Sequence, residues 1–478
     1  MEKVPTNINI NINNLLIKLL DLYKNKFILD NNINNFNTFY LGIAETISNL
    51  KISKHIIPSN INFLKIIEKL LTNLVKNQGY LTINPTDFKQ FAVGKNLAIT
   101  PGKVIFKNSL IELICYTPVT QKVYTYPILF VPPCINKYYI LDLSQDNSLV
   151  KWLIHQGFVV YIISWANPSS MHKNLKITDY ISKGIIKSID IINIQHKHQY
   201  LHVAGYCIGG TLLNCALSYL KHHNNQNINI KSVTNFMTLL DFSNLNTSGN
   251  FINKSIIKCL NNLMRKDGYL DGRLLNMLFN TLRPKALIWP YIINHYILDQ
   301  PIKENDFMYW NADPCNLPAK MYDFYLKNFC LKNKLTIPNS LKLNNVSIDL
   351  KNIDLPIFSV AGQNDHIANW SSVYNSLKLY RSHANSEFIL ANSGHIKGLI
   401  NPPNNNKNSF YTNKNSTKDP DLWLKHSTKH HGSWWKYWIN WLTNINKEQM
   451  SSKIIYQLIN NHSLEDAPGQ YIHQNLTN

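Results

Sequence analysis

From about residue 95 onward, short unbroken apolar runs alternate with longer stretches of helical spacing. The runs fall at 127–131, 158–164, 200–204, 232–240, 355–361 and 387–391. Runs of this length bury both faces of a strand, and helix-sized segments between them supply the crossovers that a parallel sheet requires. The pattern predicts an α/β fold. Ahead of these runs, 97–106 and 109–117 read as paired strands, with a turn signal at Pro101-Gly102. Between about 243 and 352 the rhythm stops. That stretch is rich in Tyr, Trp, Phe, Leu and Asn without clear strands, which predicts a helical insertion capping the site. Residues 1–95 differ again: Leu15, Leu16, Leu19, Leu20 and Tyr23, then Phe63, Ile66, Ile67, Leu70, Leu71 and Leu74, recur at helical spacing. They predict an N-terminal helical region packing on the rest of the chain, or a surface helix that docks on an apolar phase or a partner. The expected organisation is therefore 1–95 helical and 96–478 catalytic, the latter carrying the cap at about 243–352.

Composition narrows the picture. With 45% hydrophobic residues among 478, the chain can bury a sizeable core. Its seven cysteines are scattered without CxxC pairs, which disfavours a zinc ribbon or a secreted disulfide framework and fits a reducing compartment. The net charge of +20 could attract nucleic acid, but the lysines are dispersed and no basic segment is interleaved with stacking aromatics. A nucleic-acid role is not expected; a phosphate-rich small molecule such as coenzyme A would gain equally from a positive field. No run reaches the roughly 18 apolar residues of a membrane span, and no signal peptide is recognisable. A cytoplasmic protein without a transmembrane segment is expected.

The chemistry concentrates in Val203–Thr211, where Gly205-Tyr206-Cys207-Ile208-Gly209 follows a strand run and precedes a helical stretch. This is a nucleophile elbow with cysteine in place of serine. Its glycines matter because side chains at Gly205 and Gly209 would collide with the neighbouring strand and helix. A thiol there sits at a helix N-terminus, which favours thiolate. An elbow nucleophile needs a base, and the base an acid, in the chain order nucleophile, acid, histidine. Asp365 lies in the loop after the run 355–361, and His395 lies in a glycine-flanked loop after 387–391. Asp241 is the runner-up acid, and His366 a weaker candidate for a supporting role. Oxyanion donors are expected from the backbone N–H of Ile208 and from the early loop Pro132–Asn136, where Ile135 is preferred over Cys134 and Asn136. Cys134, lacking an elbow and an assigned base, reads as a packed thiol. No cofactor or metal is called for. A cysteine acyl-enzyme is itself a thioester, nearly equal in energy to an acyl-CoA, so an elbow cysteine points to transfer among thioesters.

These residues resemble the poly(3-hydroxyalkanoate) synthases. Beyond the elbow, the resemblance runs through Val131–Leu143, Ser164-Trp165-Ala166-Asn167-Pro168 and Leu239-Leu240-Asp241-Phe242. It continues through Leu282-Arg283-Pro284, Tyr309–Asp313, Asn316-Leu317-Pro318 and Asp365-His366-Ile367. Ser393–Ile396, Asn401-Pro402-Pro403 and His430-His431-Gly432-Ser433-Trp434-Trp435 complete it, in consistent order over roughly 90–445. It implies an α/β-hydrolase fold with the triad Cys207, Asp365 and His395. It also implies an (R)-3-hydroxyacyl-CoA substrate, 3-hydroxybutyryl-CoA for the class I members it most resembles. A growing polyester chain, the granule surface and a homodimer are the implied partners. Arg283 becomes a candidate contact for CoA phosphate, with a cap salt bridge as its alternative, and Trp310 a candidate lining of the substrate path, with simple packing as its alternative. Family members often carry Arg at the position of Ala166 and Pro at that of Asn369. Two other readings use the same features. A thioesterase or polyester depolymerase would pass the acyl group to water, and a non-catalytic granule-surface protein would use the basic chain and N-terminal helices alone.

Overall fold

The computed structural model describes residues 90–476, except 198, 223–228, 246–251, most of 282–304, 382–385, 405–407, 416 and 418, and only Thr72 before them. The expected N-terminal helices and Arg283 lie outside the described residues. Two compact units are distinguished, one of 1–87 with 273–304 and one of 88–272 with 305–478. Everything described below belongs to the second.

The apolar runs become strands: β1 (Gly102–Lys107), β2 (Ile111–Tyr116), β3 (Ile128–Val131), β4 (Val160–Trp165), β5 (Leu201–Tyr206), β6 (Ile230–Phe236), β7 (Ile357–Gly362) and β8 (Glu387–Ala391). They line up as β1-β2-β4-β3-β5-β6-β7-β8. The six from β4 to β8 run parallel, and β1 and β2 are antiparallel to their neighbours. This order and orientation define the α/β-hydrolase fold. Every residue of β2, β3, β4, β5 and β7 is buried, which is why these strands read as unbroken apolar runs and not as alternating ones.

Two expectations need correction, and the sheet is wider than the apolar runs alone. The first strand does not begin at Leu97. It begins at Gly102, after the Pro101-Gly102 signal, and the hairpin reverses at Asn108, whose side-chain oxygen accepts from the amides of Leu110 and Ile111 at 2.8 and 2.9 Å. The run 232–240 stops being a strand at Phe236, because Met237 adopts φ +45°. The sheet also extends past β8 through β9 (Ser409–Thr412) and β10 (Thr428–His431), and past β1 through β11 (Glu465–Asp466), giving eleven strands among the described residues. The strands β9 and β10 are four residues each and β10 is polar, so hydrophobic patterning passes over them.

The helices that matter to the site are α1 (Leu149–His155), α2 (Ile208–His222), α3 (Lys254–Asp267), α4 (Asp306–Asn311), α5 (Ala319–Tyr325), α6 (Trp370–Ser376), α7 (His395–Leu399) and α8 (Trp435–Ile445). The insertion is not free of strands. Tyr269–Leu270 pairs with Leu317–Pro318, and Leu341–Leu343 forms a hairpin with Val346–Ile348. Ser218 of α2 exchanges hydrogen bonds with the backbone of Asp349 just past that hairpin, at 2.9 and 3.0 Å. The end of the stretch therefore belongs to the layer behind the nucleophile helix.

Beneath the parallel strands the core is aromatic. Phe130 of β3 and Phe236 of β6 stack with centroids 6.4 Å apart, and Trp434 and Trp438 close on Phe236 at 5.4 and 5.1 Å. The Trp438 indole donates to Thr234 Oγ1 at 3.0 Å, so helix α8 is tied to the sheet by a directional bond as well as by burial.

Candidate active site

The end of β5 turns directly into α2. Cys207 sits at the junction with φ +53°, its N–H bonded to Phe236 O at 3.0 Å and its carbonyl accepting from Gly210 and Thr211. A non-glycine residue in this region is strained, and the strain projects its side chain off the sheet. Neighbours without side chains permit the turn. A Cβ on Gly205 would lie 2.8 Å from Gly210 N, and one on Gly209 would lie 2.5 Å from Pro132 O. Both collisions match those expected from the sequence. Cys207 is half-buried, and Ile208, the first residue of α2, presents an N–H that has no acceptor one turn earlier in the helix.

Asp365 and His395, the expected acid and base, arrive on adjacent loops that are laced together. Gln363 N donates to Ala391 O at 2.8 Å and Asn364 N to Ser393 O at 3.0 Å. These bonds join the loop after β7 to the loop after β8. Asp365 Oδ1 accepts from the amides of Ile367 and Ala368 at 2.8 and 2.9 Å, and Oδ2 meets His395 Nδ1 at 2.6 Å. One carboxylate oxygen is thus fixed by backbone and the other aims the imidazole. His395 opens α7, is 6% exposed, and lies with its ring 5.2 Å from that of Tyr206. Burial alone would disfavour a charged ring. The Asp365 carboxylate, by its charge and the hydrogen bond at 2.6 Å, and then the nearby Cys207 sulfur overcome it and raise His395 to about 10.

The other expected residues fall as follows. Asp241 is engaged elsewhere: its Oδ1 accepts from Asn333 Nδ2 and from Ser243 N, both at 2.9 Å, which pins the loop after β6. His366 is half-buried in the same loop as Asp365. Cys134 is 2% exposed, and burial pushes its thiol far above the ordinary range. Ile135 lies in the loop after β3, its carbonyl accepting from Cys315 N at 2.9 Å. Trp310 of α4 is 4% exposed and its indole donates to Lys137 O at 2.8 Å, so it braces the turn after that loop from within. Asn369 caps α6 through its side-chain oxygen, which accepts from Ser371 N at 2.9 Å, a bond that proline could not supply.

The sequence had also marked His430–Trp435 without assigning it a task. Trp434 Nε1 donates to Gly398 O at 2.8 Å and Trp435 Nε1 to Leu399 O at 3.0 Å, while Ser433 Oγ donates to Asn401 O. Trp434 and Trp435 therefore hold the end of α7, the helix that begins with His395, and Ser433 holds the chain just past it. Indole and hydroxyl donors clustered in one short motif were the available signal.

Among the described residues no group of side chains could hold a metal ion, and no helix is long and apolar enough to cross a membrane. Comparison with known proteins adds to the geometry. The family model for the N-terminus of poly-β-hydroxybutyrate polymerase matches residues 39–153. The chain is 38% identical over 415 residues to a poly(3-hydroxyalkanoate) polymerase of Methylorubrum extorquens, covering 86% of this chain and 67% of the relative. It is 35% identical over 395 residues to the poly(3-hydroxyalkanoate) polymerase subunit PhaC of Cupriavidus necator, covering 82% and 66%. It thus spans about two thirds of the length of the curated relatives it matches. A solved monoacylglycerol lipase of Paleococcus ferrophilus aligns over 70% of this chain and 99% of its own at 13% identity, with a TM-score of 0.37.

Proposed function

The chain belongs to the poly(3-hydroxyalkanoate) polymerase family of enzymes, and from that premise we propose that it polymerises (R)-3-hydroxyacyl-CoA, with 3-hydroxybutyryl-CoA as substrate, through a covalent acyl-cysteine on Cys207. The observation that carries the reading is the pairing of a strained elbow cysteine with an oriented imidazole: Cys207 stands at φ +53° where β5 turns into α2, and His395 meets Asp365 at 2.6 Å through Nδ1. In this reading His395 takes the proton of Cys207, and Asp365 stabilises the charged ring that results.

The sulfur attacks the thioester carbonyl, and the oxyanion is received by the Ile208 N–H and by an amide of the Pro132–Asn136 loop, that of Ile135 in this reading. Collapse expels CoA as its thiolate, which takes the proton from His395. The hydroxyl of an acyl unit, deprotonated in turn by His395 or with help from Asp365, attacks an acyl-cysteine; the carbonyl–sulfur bond breaks, Cys207 leaves as thiolate and regains the proton from His395, and the chain grows by one ester. Exchange of one thioester for another is nearly isoenergetic, so the acyl group on Cys207 stays activated for ester formation. The homodimer and the granule surface belong to the same proposal, supported by the resemblance to class I synthases, as does the placing of Arg283 at the CoA phosphates.

Purified protein with (R)-3-hydroxybutyryl-CoA is expected to release thiol while turbidity rises, and Cys207→Ala to do neither. Thiol release in clear solution with free 3-hydroxybutyrate would reassign the chain to a thioesterase.

A further inference from the structure

The last described turn of the chain is bound to the loop that follows β3. Lys137, 3% exposed, stands two residues past Ile135 and directs its ammonium to the backbone carbonyls of Ile472, at 3.1 Å, and Gln474. Gln474 Oε1 accepts from Asn167 N at 2.7 Å, and Asn475 O accepts from Asn167 Nδ2 at 3.2 Å. The same Asn167 passes the connection on. Its Oδ1 accepts from Asn316 N at 2.9 Å, and the neighbouring Cys315 N donates to Ile135 O at 2.9 Å. A second route reaches the loop through the Trp165 indole, which donates to Pro132 O at 3.0 Å.

We propose that Tyr471–Asn475 is a positioning strap that sets the oxyanion loop Pro132–Asn136 against Cys207, with Lys137, Asn167 and Gln474 as the positioning residues. The proposal rests on the polymerase reading for the reaction it serves. Three carbonyls of the turn, those of Pro132, Ile135 and Lys137, are occupied from outside by Trp165, Cys315 and Trp310. Because a trans peptide is planar, the fixed carbonyls of Ile135 and Lys137 fix the N–H groups of Asn136 and Tyr138 on the opposite side, while Pro133 after Pro132 has none, so the strap governs where the Asn136 amide at the end of the oxyanion loop points. A buried ammonium needs its acceptors, and here backbone carbonyls of the strap supply two of them. The upstream part of the same segment is anchored independently: Glu112, buried in β2, accepts from Gln470 N and Tyr471 N at 3.0 Å each. The strap is therefore held at one end by the sheet and delivers its polar groups to the site at the other.

The test separates oxyanion stabilisation from the integrity of the nucleophile. Alkylation of Cys207 by iodoacetamide passes through no oxyanion, whereas acyl transfer does. In Gln474→Met and Lys137→Met, kcat for thiol release from (R)-3-hydroxybutyryl-CoA should fall by about tenfold to a hundredfold. KM and the alkylation rate should stay within about twofold, on the same order-of-magnitude scale for kcat and KM effects. Gln474→Glu, which keeps the acceptor, should restore kcat. Unchanged kcat in both Met variants, or a parallel fall in alkylation and acyl transfer, would overturn the strap. A p-nitrophenyl ester run alongside isolates the premise. Wild type that is inert to the CoA thioester but active on the ester would overturn the polymerase reading, and the strap would then be judged on the ester. Wild type inert to both would overturn both.

Discussion

At Cys207 the backbone is held in a left-handed conformation, and the neighbouring His395 meets a carboxylate that two amides fix. The residue-level consequence is that replacing sulfur changes the course of the reaction as well as its rate. Cys207→Ser should take up one acyl group slowly and then stall as an oxygen ester, since transfer from a thioester to serine is downhill. Mass spectrometry after mixing with substrate should show the serine acylated and no polymer. Titration of His395 gives a second expectation. Its folded value of about 10 exceeds the ordinary 6.5, partly because of Cys207, so in Cys207→Ala it should move downward, as read by NMR of the ring. For stability the sign follows: a raised histidine contributes fully below pH 6.5, and the contribution is lost as pH rises towards 10. The places of Cys207, Asp365 and His395 were legible in the sequence, because an elbow is a local pattern and the two candidate partners each follow a strand run. The same local signal named Asp241 as an alternative. Only contact showed that Asp241 is engaged by Asn333, a residue 92 positions away.

Element by element, the strands with two buried faces were readable and the edge strands were not. A run such as Ile128–Val131 can be nothing but interior, whereas Thr428–His431 is polar and mostly exposed and owes its extended shape to pairing with Ser409–Thr412. The hairpin at Leu341–Ile348 escaped for a related reason: its strands are three residues each, too short to establish a period. The role of His430–Trp435 also lies at this scale. Trp434→Phe keeps the ring in the aromatic cluster but removes the donor to Gly398 O, leaving a buried carbonyl short of a partner. A loss of about 1–2 kcal/mol in stability is expected from urea unfolding. Activity should fall beyond what the folded fraction accounts for, because α7 carries His395; activity tracking the folded fraction alone would confine Trp434 to packing. Gly209→Ala should be more severe, since its Cβ would strike backbone of Val131 and Pro132, which cannot rotate away; little soluble protein, or protein without thiol-releasing activity, is expected.

For the molecule as a whole, opposed titrations bound the stable range. His202 and His196 are buried as neutral rings, and desolvation lowers them to about 3 and about 4. A depressed histidine contributes fully above pH 6.5, and that contribution is lost as pH falls towards these values, the reverse of His395. Thermal melts should therefore show stability declining on the acid side below pH 6.5, and His202→Gln should flatten that limb; a limb unchanged by the substitution would assign acid unfolding to other groups. The sequence by itself determined the α/β-hydrolase core and the elbow turn, and set Asp365 and His395 in the loops that the fold lays side by side. Burial writes unbroken apolar runs into a parallel strand, and the strained turn excludes side chains beside the nucleophile. The tertiary structure alone decided which distant groups hold that site in place: Trp434 and Trp435 under His395, Asn333 on Asp241, and the strap of Tyr471–Asn475 on Lys137 and Asn167. A hydrogen bond between residues more than three hundred positions apart, as from Lys137 to Ile472, leaves no periodicity in the chain. Its partners are ordinary polar residues until folding brings them within about 3 Å of one another.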